Sequence, residues 1–326
     1  MAFTMLRENY EWTKDCLQRL TKAEYVGVVK NTNLKSLYLK PLGQKAWVDY
    51  CERAGTPIDS IDKPAIVYNA DKVRRVERVN EARLLIDTAG FRNHYLTAPQ
   101  AKAMLEQEAA RQSDNIRYSR FAGILFTQWG GFLVYNFARS NIHLNVNGEK
   151  SALVAASRLY RKLGGEQPSP RFSMLVIGSS TNTALSMLSY SDMLEDKQNK
   201  AKKHYVKRHF NFSDFRKLFG EILFFPIMFE APTILQVLAA SSRELYDVEQ
   251  HYRQEGRHTV NLMECRLHLW ANYRCRIPSD MPVDFLCYHW QMPLIQKYFA
   301  APKSILDFRC RCANINDVKR MMDLTP

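Results

Sequence analysis

Eight cations fall between positions 197 and 217: Lys197, Lys200, Lys202, Lys203, Lys207, Arg208, Arg216 and Lys217. They are interleaved with His204, Tyr205, His209, Phe210 and Phe212. Clustered ammonium and guanidinium groups beside aromatic rings suit a polyanion, most economically nucleic acid, because neutralising phosphates releases counterions. The bland alternative is a solvated loop whose charge only aids solubility. A second polar set, Lys14, Gln18, Arg19 and Lys22, recurs at helical spacing opposite Trp12, Cys16, Leu17 and Leu20. Donors arranged in that way on a helix can meet base edges in a major groove. Lys30, Lys35 and Lys40 follow in two strand-like runs and could touch the phosphate backbone.

Other chemistries have weaker support. Cys265-x-x-His268, Cys275, Cys287-x-His289 and Cys310-x-Cys312 could supply tetrahedral zinc ligands. Their spacings are irregular, and Cys265, Cys287 and Cys310 sit in apolar or alternating runs, which favours buried thiols and no metal. Ile177-Gly178-Ser179-Ser180-Thr181 has the form of a strand-to-helix turn whose amides could hold a phosphate. Without a glycine-rich loop or a following Lys-Ser/Thr pair, a plain Ser/Thr helix cap is the better reading. His94 and His143 have no sequence partner for nucleophilic catalysis, and no His-x-His pair marks a metal-dependent nicking site.

The elements that must position these residues can be read from periodicity. Residues 11–22 form an amphipathic helix, and Tyr25–Lys30 with Leu34–Lys40 make a short ribbon around Asn31-Thr32-Asn33. Pro41 suits the first turn of a further helix through Ala46, Trp47 and Tyr50. Helix plus ribbon is the reading end of a winged helix, although the same pattern serves an ordinary helix–hairpin–helix piece of a larger core. Residues 54–64 form a connector. Asn69 then caps a long basic helix through Ile86, with Lys72, Arg74, Arg75, Arg78 and Arg83 opposite Val73, Val76, Leu84 and Leu85. Such a helix serves as a domain bridge, a homodimer seam or a backbone-tracking element. Another helix runs over Ala98–Gln112.

From Arg117 the pattern alternates strands and helices. Arg120–Phe126 and Phe132–Phe137 pair as a hairpin, Glu149–Leu163 is helical, Arg171–Ile177 is a buried strand and Thr181–Leu188 opens a helix. Ile222–Phe229 is a strand followed by a helix over Thr233–His251, and short strands recur near Asn261–Trp270, Phe285–Trp290 and Ile305–Phe308. The expected fold class is therefore a multidomain α/β protein. It has a winged-helix-like segment (1–55), a helical linker (56–112), a mixed α/β core (113–255) and a mixed C-terminal α+β region (256–326).

Composition bounds the setting. The chain has 326 residues, 46% apolar and 12% aromatic, enough for a sizeable core. Its net charge of +13 is unevenly spread: residues 111–220 carry 17 Lys and Arg against 7 Asp and Glu, whereas residues 221–326 carry 12 of each. No apolar run reaches membrane-spanning length, the start lacks a secretory layout, and seven cysteines form no disulfide framework. A soluble cytoplasmic protein without a cofactor is expected.

The layout strand, turn, strand and L-x-x-G helix, here YLKPLGQKAW (38–47), is followed by a helical linker and a small α/β core with a strand hairpin and a helix. Over residues 12–240 this arrangement resembles the replication-relaxation proteins of plasmids and conjugative elements. The resemblance implies a restriction-endonuclease-like second domain and a role as a DNA-binding accessory in mobile-element replication, mobilisation or transcription control. A nuclease of that fold needs an acidic residue on one hairpin strand and a Glu or Asp two positions before Lys on the next, to hold Mg²⁺ and orient water. The strands here, RFAGILF and FLVYNFA, have Gly123, Tyr135 and Asn136 in place of carboxylates. Glu195-x-Lys197 lies in a polar segment and Glu149 stands alone at a helix start.

The reading is thus a non-catalytic binder of duplex DNA through Lys14, Gln18, Arg19, Lys22, Lys30, Lys35 and Lys40, with phosphate contacts from Lys200, Lys202, Lys203, Lys207 and Arg208. A metal-dependent nuclease is one alternative. Another is a protein-binding inhibitor or partner of a nucleic-acid enzyme within a nucleoprotein complex.

Overall fold

The computed structural model describes residues 10–31, 34–53, 70–106, 119–127, 130–137, 144, 146–163, 171–193, 212–240, 248–251, 253, 256–270, 272–273, 282–299 and 308–322. The chain is mixed α/β and divides into two compact units, Met1–Arg78 and Val79–Pro326.

Unit 1 is built from α1 (Tyr10–Lys22), β1 (Val26–Asn31), β2 (Leu34–Leu39) and α2 (Pro41–Arg53), as their local sequence signals require. Helix α1 stops where Glu24 takes a left-handed conformation (φ 63°), and the Tyr25 amide turns back to the Leu20 carbonyl at 3.0 Å. The strands pair antiparallel from Val26 opposite Leu39 to Asn31 opposite Leu34. Lys40 accepts the first backbone bond of α2 from Gln44 (2.9 Å), and Pro41 occupies the first helical position. Gly43 makes this closure possible: a Cβ there would stand 2.2 Å from the Tyr25 carbonyl oxygen.

The expected burial of the apolar face of α1 does not hold. Trp12 is 67% and Leu20 41% exposed, and Cys16 and Leu17 are only half-buried. Helical spacing creates the face but does not by itself supply its cover among the described residues.

Helix α3 (Ala70–Thr88) crosses the boundary into unit 2. There Ala82, Leu85, Ile86 and Ala89, at i, i+3, i+4 and i+7, are buried. Val76 and Leu84, expected on the apolar side, are exposed. Next come β3 (Tyr95–Thr97), α4 (Ala98–Glu106), β4 (Gly123–Thr127), β5 (Gly130–Phe137), α5 (Val146–Lys162), β6 (Ser173–Gly178), α6 (Thr181–Met193), α7 (Phe212–Leu218), β7 (Ile222–Pro226) and α8 (Ala231–Ala239). The five strands lie in sequence order. β4 runs antiparallel to both β3 and β5, and β5, β6 and β7 are parallel. Strands β6 and β7 are buried almost throughout, which is why their sequences are unbroken apolar runs. Small residues Ala152, Ala155 and Ala156 with Leu159 make the buried stripe of α5.

A second sheet contains β8 (His258–Asn261), β9 (Val283–Tyr288) and β10 (Phe308–Ala313), all parallel with β9 in the centre. Helix α9 (Met292–Phe299) follows β9, and α10 (Ile315–Met321) follows β10 with Asn314 as its cap. One buried cluster runs from Ala98 on α4 to Phe299 on α9 and includes Val260, Trp270 and Phe285. The expected boundaries at 112 and 255 therefore do not coincide with a gap in packing: α4, the α/β core and the C-terminal region share one interior.

Three expectations need correction. The strand over Asn261–Trp270 is confined to its start. Cys265 takes a positive φ (54°) and Leu267–Leu269 form a 3-10 turn, which no extended strand tolerates. The last strand begins at Phe308 and does not end there. The helix over Thr233–His251 breaks at Ala240, whose backbone is extended (ψ 176°).

Candidate nucleic-acid interface

On α1, Lys14, Gln18 and Lys22 stand one helical turn apart, and all three are exposed, as is Arg19. Lys14 pairs with Glu11 at 3.3 Å on the surface, and Lys40 with Glu24. Such exposed pairs are worth at most about 1 kcal/mol, so either lysine can exchange its partner for a phosphate. In the ribbon, Lys30 stands directly opposite Lys35, next to the turn. Unit 1 thus places six of its seven sequence-selected polar residues on one helix and the ribbon that follows it, with Lys40 just past β2 at the start of α2.

The middle cluster is divided. Lys200, Lys202, Lys203, Lys207 and Arg208 lie outside the described residues. What is described is an edge of unit 2 built from residues on either side of them in the sequence. Helix α5 ends in Arg161 and Lys162, Arg171 lies two residues before β6, and α7 carries Arg216 and Lys217 in its last turn before β7. All five are exposed, and the Arg171 Nη2 donates to the Arg216 carbonyl at 3.3 Å. Because α5 and α7 both return the chain to the start of a parallel strand, their last turns come to the same edge of the sheet. Periodicity alone does not select Arg161, Lys162 and Arg171; the topology of the parallel strands does. Cations at helix C-termini also complement the macrodipole, a local stabilisation that coexists with anion binding.

The nuclease constellation is absent among the described residues. Neither β4 nor β5 carries a carboxylate. Glu149 on α5 is fully buried: its Oε2 accepts from Ser119 Oγ at 2.6 Å and from Tyr135 OH at 2.5 Å, and its Oε1 accepts from the Arg120 amide at 3.2 Å. Burial raises the Glu149 pKa above the ordinary carboxylate value, only partly offset by those three donors. Glu81 on α3 accepts from Asn136 Nδ2 at 3.0 Å. Tyr135 and Asn136 are successive residues of β5 and point to opposite faces, so Glu149 and Glu81 are separated by the sheet and cannot share a cation. Glu195 and Lys197 lie outside the described residues.

The cysteines and histidines separate as well. His268 Nδ1 lies 3.1 Å from the Ile222 amide, and burial lowers its pKa below the usual value. Cys265 is buried and faces the Met263 carbonyl, whereas Cys287, Cys310 and Cys312 meet across β9 and β10. Among the described residues no group of three His, Cys, Asp or Glu is placed to hold a metal, and no helix is long and apolar enough to cross a membrane.

Sequence reasoning also misses Asp284. Its fully buried carboxylate receives Arg257 Nε at 2.5 Å and Arg309 through Nε (2.7 Å) and Nη2 (3.0 Å), with Arg311 Nη1 at 3.9 Å. Burial works to raise the Asp284 pKa, but the hydrogen bonds and charges of Arg309 and Arg257 outweigh it and hold the group below its ordinary value. This network ties β9 to β10 and to the start of β8.

No family model, no curated protein and no solved structure matches the chain.

Proposed function

We propose that the chain is a non-catalytic, duplex-DNA-binding accessory or regulatory protein of a mobile genetic element. The observation that carries this reading is the exposed stripe Lys14, Gln18 and Lys22 on α1, with Arg19 beside it and the opposed Lys30–Lys35 positions on the adjoining ribbon. In this reading unit 1 acts as a winged-helix-like reader, with α1 in the major groove and the ribbon on the phosphate backbone. The cations at the ends of α5 and α7, together with Lys200, Lys202, Lys203, Lys207 and Arg208, hold further phosphates.

The element order α3, β3, α4, β4, β5, α5, β6 supports a restriction-endonuclease-like layout for unit 2 that carries one additional helix, α4, between its first two strands. The lack of carboxylates on β4 and β5 favours binding without cleavage. Exposed Trp12, Trp47 and Tyr50 on unit 1, the last two stacked with centroids 5.8 Å apart, favour an additional protein contact, either a second copy or a partner in a nucleoprotein complex.

The test is fluorescence anisotropy with labelled duplex DNA across a salt series. Six or more phosphate contacts predict a loss of affinity of about 10³-fold between low and moderate salt. A flat response, or no binding at low salt, would sink the reading.

A further inference from the structure

Cys312 on the edge strand β10 stands opposite Cys287 on the central strand β9, and their sulfurs are 3.9 Å apart. Cys287 is buried, with Val283 and Phe285 of the same strand in the main apolar cluster. Cys312 is exposed, and Cys310 lies half-buried between them in depth, packed on the same cluster. The pair thus sits where the core meets solvent, one sulfur in each environment.

Register neighbours on adjacent strands are separated by about 4.8 Å, inside the roughly 4.4–6.8 Å Cα range that a disulfide spans. The sulfurs need only a rotamer adjustment to close. Cys310 and Cys312, two apart on one extended strand, have Cα atoms near the upper limit and side chains standing parallel, a poor geometry for bonding each other.

We propose that Cys287 and Cys312 form a peroxide-oxidisable thiol pair, with the exposed Cys312 as the site of attack and Cys287 as the resolving thiol. Hydrogen peroxide oxidises the Cys312 thiol to a sulfenic acid and is itself reduced to one water. The Cys287 sulfur then attacks the Cys312 sulfur, the S–O bond breaks, and the hydroxyl leaves as a second water with the Cys287 proton. Two thiols and one peroxide give one disulfide and two waters. The bond staples the edge strand of the three-stranded sheet to its centre and closes a loop between positions 25 apart. The loop constrains the unfolded chain, so the oxidised form is the more heat-stable one.

The assignment is independent of DNA binding and is tested on the full chain. The protein is treated with hydrogen peroxide, free thiols are alkylated, and tryptic peptides are mapped by mass spectrometry without reduction. Cleavage after Arg309 and Arg311 puts Cys310 and Cys312 on different peptides. The expected product is the Cys287 peptide joined to the Cys312 peptide, released by dithiothreitol, with a raised melting temperature before reduction. Cys312→Ser, a surface change that leaves the core intact, abolishes both the cross-link and the thermal shift. Cys287→Ser abolishes the cross-link, and Cys310→Ser keeps it. A bond to Cys310, a Cys312–Cys312 dimer, or Cys312 sulfinic acid beside a free Cys287 thiol would each overturn the assignment.

Discussion

The hydroxyl of Tyr135 donates to Glu149 Oε2 at 2.5 Å, and both side chains are fully closed off from solvent. A carboxyl group so enclosed joins α5 to β5, and its cost and benefit depend on its proton. Below the ordinary carboxylate value of 4.5, the folded and unfolded chains are both protonated there and burial costs little. As pH rises from 4.5 through the raised folded value, the unfolded chain ionises first and native stability falls. Glu149→Gln should flatten that part of the stability profile. Glu149→Ala strands two hydroxyls and an amide and should cost about 1–3 kcal/mol. Urea unfolding of the three proteins between pH 4 and pH 7 checks both; a wild-type stability that rises over that interval while Glu149→Gln shows no difference would contradict this account.

Asp284 carries the opposite sign. Its folded pKa is depressed, so its contribution is present above the ordinary 3.8 and is lost as pH falls through the folded value. Asp284→Asn leaves three guanidiniums without their anion. The loss at neutral pH should be about 2 kcal/mol, less than for a fully enclosed pair because Arg309 is 47% exposed and screened by solvent. The deficit should shrink at low pH, where wild type also loses the charge. An unchanged deficit in denaturant titrations down to pH 2 would assign the effect to shape and not to charge.

The helix–ribbon–helix of unit 1 is legible in the sequence because its determinants are local: apolar spacing in α1, two adjacent strand-like runs, and Pro41 at the start of α2. The buried strands β5, β6 and β7 are legible from unbroken apolar runs. Strand β3 is three residues long and β10 alternates Arg with Cys, so neither has the composition of a strand. The Asp284 network joins residues up to 27 positions apart, and the partners of Glu149 come from 14 and 30 positions away. No window on the sequence contains such a relationship. Of the interface, the residues on α1 and the ribbon can be chosen by type and spacing, whereas Arg161, Lys162 and Arg171 require knowing which helix ends meet at one edge.

Arg19→Ala and Gln18→Ala should each reduce discrimination between duplex sequences by about 1–3 kcal/mol if they read base edges bidentately. Neutralising Arg161, Lys162, Arg171, Arg216 and Lys217 together should weaken binding to every sequence alike and flatten the salt slope. The same holds for Lys200, Lys202, Lys203 and Lys207. Competition assays with specific and scrambled duplexes separate the two behaviours. Helix variants that bind all DNA as wild type does, beside an edge variant that loses selectivity, would move the reading site to unit 2.

Gly43→Ala should loosen unit 1 without touching a cation, since its Cβ would meet the Tyr25 carbonyl at 2.2 Å. The expected cost is about 1–3 kcal/mol, in the range of overpacking a closed contact. Hydrogen exchange of the ribbon amides should speed up while those of β6 and β7 stay protected; uniform protection in the variant would show that α2 can move aside freely.

No Mg²⁺- or Mn²⁺-dependent cleavage of duplex or single-stranded DNA is expected. Cleavage that disappears on replacing one carboxylate of unit 2 would refute the binding-only reading.

The interior shared by α4 and α9 bears on synthesis at the ribosome. Trp270, Phe285, Ile295 and Phe299 complete a cluster whose first members are Ala98 and Ala101. At about 5–20 residues per second, the early half waits roughly 10–40 s for the late half to emerge. During that interval the apolar sides of β4 to β7 lack their final cover. A nascent chain halted near residue 255 should therefore be held by chaperones, because the cover for β4 to β7 has not yet been made.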